Sequence, residues 1–104
     1  MFDFFKNILA PPDRSELTEA IRNGALLVDV RSPGEFAAGS VKGAVNIPLE
    51  QIGSEISRLK GTPSVVVFCR SGSRSGQAKR ILEQRGFRSV INGGTWQNVN
   101  ECIG

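Results

Sequence analysis

A run of β-branched and aromatic residues, Val65-Val66-Val67-Phe68, ends at Cys69 and gives way to Arg70-Ser71-Gly72-Ser73-Arg74-Ser75, then to the helix formers Gln77 through Arg85 before Gly86. This order predicts a buried strand, a tight loop and a helix in direct succession. The loop amides and the first helical turn leave N–H donors without backbone partners, and the helix dipole puts its positive end there. Such a cup suits an anion. Arg74 falls where the helix starts, although a cation there opposes the dipole. A broken local rule of this kind is expected at functional sites. With Arg70 beside it, the loop surrounds Cys69 with groups that favour a thiolate. A cysteine closing an apolar strand is otherwise usually a small buried hydrophobe; the loop that follows argues for a reactive one.

A chain of 104 residues holds one domain with a core of its own. Hydrophobic residues make up 39% and charged residues 22%, which excludes a disordered chain. No apolar run approaches the ~20 residues of a membrane span. The absence of His removes Ser-His-Asp triads, Cys-His dyads and His-based metal sites. Two distant cysteines cannot form a zinc site, so neither a metal nor a cofactor is expected. The sparse cysteines favour a reducing, cytoplasmic setting, with a Cys69–Cys102 disulfide left open. The net charge of +3 is localised: six cations (Arg70, Arg74, Lys79, Arg80, Arg85, Arg88) and one acid (Glu83) lie between Arg70 and Arg88, so the remainder is net negative. Without interleaved aromatics this basic helix reads as a solvated face, and no nucleic-acid binding is expected.

Residues 1–12 carry apolar side chains at helical spacing (Phe2, Phe5, Leu9) and stop at Pro11-Pro12. Asp3 and Lys6 make this a poor signal peptide, so it reads as an N-terminal extension packing on the domain. Asp13 and Ser15 offer caps for a surface helix through Ile21, closed by Asn23-Gly24. Ala25 to Val30 is a near-continuous apolar strand, the pattern of a parallel sheet covered on both faces, with Asp29 near its end. Ser32-Pro33-Gly34-Glu35 predicts a capping box opening a short helix that ends at Gly39. Ala44 to Ile47 is a brief strand cut by Pro48. Leu49, Ile52, Ile56 and Leu59 recur at helical spacing. Phe87 to Ile91 reads as the last strand, Asn92 to Thr95 as a turn, and Trp96 as the start of a C-terminal helix. Strands alternating with helices predict an α/β fold with a central, mostly parallel sheet and helices on both faces. Sites in such sheets lie at the C-terminal strand ends, where Cys69 falls.

These residues resemble the single-domain rhodanese-like sulfurtransferases. The likeness rests on Leu27-Val28-Asp29-Val30-Arg31, Glu35-Phe36, Gly39 with Gly43-Ala44-Val45-Asn46-Ile47-Pro48, Val67 through Ser75, and Gly93-Gly94-Thr95-Trp96. It implies a rhodanese-like domain over residues 13–104. It also implies a cysteine that takes sulfane sulfur from a small anionic donor such as thiosulfate, carries it as a persulfide and passes it to cyanide, a thiol or a protein acceptor. Cys69 would be the nucleophile, and Arg70, Ser71, Gly72, Ser73, Arg74 and Ser75 the anion-binding loop. No general base is needed for a nucleophile already ionised. Asp29 and Arg31 either line the rim of the site or form a structural ion pair, and Trp96 either walls the pocket or fills core. Cys102 is a passive thiol or a resolving one. Ser40 stands where the family commonly has His, a change expected to touch loop packing or pH response. A monomer is expected.

Two rivals remain. Cysteine phosphatases and arsenate reductases of the related dual-specificity type place five residues between Cys and Arg; four separate Cys69 from Arg74, a ring sized for sulfur. The other rival is a non-catalytic rhodanese-like interaction or sulfur-carrier module; rhodanese-like domains with a pure interaction role typically lack the cysteine.

Overall fold

A computed structural model describes residues 14–103; the N-terminal extension lies outside them. Helix α1 (Ser15–Arg22) is followed by β1 (Leu26–Asp29), α2 (Pro33–Ala38), β2 (Val45–Asn46), a 3₁₀ segment (Leu49–Glu55) running into α3 (Ile56–Leu59), β3 (Val65–Cys69), α4 (Ser73–Gln84), β4 (Val90–Thr95) and α5 (Trp96–Ile103). The four strands pair in the order β2-β1-β3-β4, every pair parallel. The expected α/β architecture is therefore present, with β3 at the centre.

All five residues of β3 are buried, because both of its faces are covered. One face packs Val65 and Val67 with Ile52 and Leu59 and with Ala78 and Leu82 of α4. The other packs Val66 and Phe68 with Leu17 and Ala20 of α1 and Val99 of α5. Alternation along the strand sends successive side chains to opposite faces, so an unbroken apolar run is what a two-sided core demands.

Three local expectations are corrected. Of the two caps expected for α1, Asp13 lies outside the described residues and Ser15 is the first helical residue; the capping position is Arg14, and its side chain makes no cap bond. The apolar positions 49 to 59 form not one α-helix but a 3₁₀ segment followed by a single α-helical turn. The i, i+3 spacing of Leu49 and Ile52 suits three residues per turn, and Gly53 weakens the α alternative.

The third correction is the largest. Asn92 to Thr95 is not a turn but the last four residues of the six-residue β4, and Phe87 to Ser89 precedes the strand. The pairing runs Val65↔Val90 through Val67↔Asn92, slips one residue, and resumes as Phe68↔Gly94 and Cys69↔Thr95. Glycine makes the slip possible. Gly94 sits at φ +79°, and a Cβ on Gly93 would stand 2.5 Å from Val99 Cγ2. Backbone groups of β3 need partners as far as Cys69, and that demand overrides the turn chemistry of Asn-Gly-Gly.

Candidate active site

Cys69 is the last residue of β3 and fully buried. The chain then reverses through Arg70-Ser71-Gly72 into α4, and Gly72 takes the left-handed conformation at φ +94°, which a side chain would resist. This turns the Gly72 amide onto Cys69 Sγ at 3.0 Å. The Ser75 amide reaches the same sulfur at 3.4 Å, and Ser75 Oγ lies 3.4 Å away. Burial pushes the thiol up, but the Ser75 hydroxyl and the amides of Ser75, Ser71 and Gly72 outweigh it, so Cys69 titrates below an ordinary thiol. Hydrogen bonds to the charged form are the cause. Guanidinium charge, which the sequence suggested, is not among the leading causes.

Arg74 explains why. Its guanidinium grips Glu35, NH1 to Oε1 at 2.7 Å and NH2 to Oε2 at 3.0 Å. The sequence marks Glu35 only as a cap, and the capping box is present: the Glu35 amide donates to Ser32 Oγ at 3.3 Å and Oε1 accepts the Ser32 amide at 3.1 Å. That box fixes the carboxylate where it meets α4, a contact between residues 39 apart that no local spacing announces. The hydrogen bonds from Arg74, assisted by those from Ser32, hold the Glu35 carboxyl at about 2. Arg70, by contrast, is exposed, and among the described residues it enters no ion pair. Ser71 and Ser73 are exposed as well, the Ser73 amide pointing to Ser71 Oγ at 3.5 Å.

Asn92 has the local sequence of a turn residue; the structure brings it to the loop. Its Nδ2 donates to the Gly72 carbonyl at 3.3 Å, while Oδ1 accepts the Ser75 hydroxyl at 2.7 Å and the Gly94 amide at 2.9 Å. Asn92 thus braces Gly72 and Ser75, two of the residues whose amides act on the sulfur. Only the strand assignment of β4 could have placed it here.

Asp29 and Arg31 form a buried ion pair. Asp29 is wholly inaccessible and accepts from Arg31 Nε at 3.0 Å, Arg31 NH2 at 2.7 Å, the Arg31 amide at 3.0 Å and Ser40 Oγ at 2.7 Å. Arg31 also donates to the Gly39 carbonyl at 2.6 Å and lies 5.4 Å from the centroid of the Trp96 ring, a cation–π contact. These bonds tie β1 to the loop after α2, and the ring contact ties it to α5. Ser40 belongs to this network. Cys69 and Cys102 are both free thiols; Cys69 packs in the core layer under α4 and Cys102 against the layer under α1 and α5, so the sheet separates them.

A family model described as the rhodanese-like domain matches residues 13–98. The chain belongs to the rhodanese-like family. This rhodanese-like chain is 42% identical over 67 residues to a sulfurtransferase of Allochromatium vinosum, the match spanning 64% of this chain and 63% of that one. It is 36% identical over 74 residues to thiosulfate sulfurtransferase PspE of Escherichia coli K12, covering 69% and 71%. A solved rhodanese with anions from E. coli superimposes with a TM-score of 0.68 at 35% identity, over 72% of this chain and 91% of that one. This rhodanese-like chain ends the third strand of its sheet on a cysteine whose sulfur accepts from the Gly72 and Ser75 amides.

Proposed function

We propose that the chain moves sulfane sulfur from an anionic donor such as thiosulfate, through a persulfide on Cys69, to a thiophilic acceptor such as cyanide or a thiol. The observation that carries this reading is the sulfur of Cys69 held by the Gly72 and Ser75 amides at 3.0 and 3.4 Å. The Cys69 thiolate attacks the outer sulfur of thiosulfate; the new S–S bond forms as the old one breaks, and sulfite leaves with the bonding pair. The terminal sulfur then carries the negative charge, and loop N–H groups stabilise it as an oxyanion hole would. Cyanide or a thiolate takes that sulfur, and Cys69 departs as the thiolate with which the cycle began. Relatives named sulfurtransferase and thiosulfate sulfurtransferase support the class of reaction.

A cysteine phosphatase is disfavoured by the four residues between Cys69 and Arg74 and by the engagement of Arg74 with Glu35. A pure binding module would have no use for a thiol held below its ordinary pKa. We place the protein in a reducing, cytoplasmic setting as a monomer, which suits its two free thiols. Thiosulfate:cyanide transfer tests the assignment: Cys69→Ser should abolish it and Cys102→Ser should retain it. Full activity in Cys69→Ser would refute the proposal.

A further inference from the structure

Of Arg31, Arg70 and Arg74, two are already neutralised. Arg31 is paired with Asp29 at 2.7 Å. Arg74 is paired with Glu35 at 2.7 Å, with about a third of each side chain exposed, 35% and 31%. Arg74 belongs to the loop nonetheless: it sits in the first turn of α4, one residue before Ser75, whose amide reaches the sulfur. Arg70 alone is exposed and outside any ion pair among the described residues. The loop thus carries one guanidinium, that of Arg70, outside any ion pair among the described residues, and a second, that of Arg74, with a carboxylate beside it.

From this we infer that Glu35 is a specificity-determining residue: by occupying Arg74 it disfavours dianionic donors relative to donors of single charge, such as a persulfide anion R–S–S⁻ or its protonated form. The inference deepens the sulfur-transfer reading and rests on it. With R–S–SH, the Cys69 thiolate attacks the terminal sulfur, the donor's S–S bond breaks, and R–S⁻ leaves; no oxidant or reductant enters. Coulomb's law sets the sign and the scale. For an anion roughly 6 Å from the carboxylate in a water-like dielectric, one negative charge removed corresponds to about threefold tighter binding of a monoanion and about tenfold of a dianion. A dianion therefore gains more from removing Glu35 than a monoanion does.

The test reads anion binding directly and needs no sulfur transfer. Sulfate and methanesulfonate are titrated into the full chain, following the amide resonances of Gly72 and Ser73. Glu35→Gln keeps a residue competent for the capping box but loses the charge; it should tighten sulfate about tenfold and methanesulfonate about threefold. Glu35→Asp keeps the charge while shortening the side chain, and should leave the preference as in the wild type. Unchanged constants in Glu35→Gln, equal gains for both anions, or equal tightening in both variants would each overturn the inference. A failure here leaves thiosulfate labelling of Cys69 as a separate measurement, so the two readings fall independently.

Discussion

Ser75 is the residue on which the reactivity of Cys69 turns. Its amide donates to the sulfur at 3.4 Å, and its hydroxyl, also 3.4 Å from the sulfur, has one proton to share between a Cys69 thiolate and Asn92 Oδ1; these are the two leading groups that lower the thiol. Ser75→Ala should move the inflection of the alkylation rate to higher pH and lower the rate at pH 7 by roughly threefold to tenfold, since each tenfold change in ionisation corresponds to about 1.4 kcal/mol. Arg74→Ala should shift the profile less, because Glu35 already offsets that charge. A larger shift for Arg74→Ala would mean that guanidinium charge governs the thiol. The Cys-Arg-Ser-Gly-Ser-Arg sequence made the nucleophile and its loop legible. It did not reveal that Arg74 is engaged elsewhere, because its partner is brought near by the fold and not by spacing.

Among the elements, β4 and α2 carry the least local information about the site and yet position much of it. Asn92, Gly93 and Gly94 have the composition of a turn, and only pairing with β3 turns them into strand. Gly93→Ala should therefore be destabilising, by about 1–3 kcal/mol in urea unfolding, since the added methyl would lie 2.5 Å from Val99 Cγ2 and 3.1 Å from Val66 Cγ1; an unchanged midpoint would contradict the close packing of β4 on α5. The tie between α2 and α4 has an acid signature. Folding holds the Glu35 carboxyl at about 2 against an ordinary 4.5, so the native state favours the ionised form. Its contribution is complete above pH ~4.5 and is lost as the pH falls toward 2. Stability curves of wild type and Glu35→Gln should converge over that range, and curves that stay parallel would show that the pair contributes nothing to folding. The β1 and β3 strands, by contrast, were legible from composition alone, since their apolar runs admit few arrangements other than a parallel sheet covered on both sides.

At the scale of the whole molecule, a four-stranded parallel sheet with helices on both faces delivers Cys69 to the C-terminal edge of its central strand, the place where α/β sheets build their sites. The proposed sulfur transfer rests on membership of the rhodanese-like family and on the amides that reach the sulfur. The central claim is that Cys69 carries sulfur covalently. Mass spectrometry of the intact chain after exposure to thiosulfate, followed by peptide mapping, tests this most directly. The account predicts a gain of one sulfur atom, about 32 Da, on Cys69, removed by cyanide or a thiol and absent in Cys69→Ser. An adduct on Cys102, or no adduct under conditions where Cys69 is alkylated readily, would contradict it.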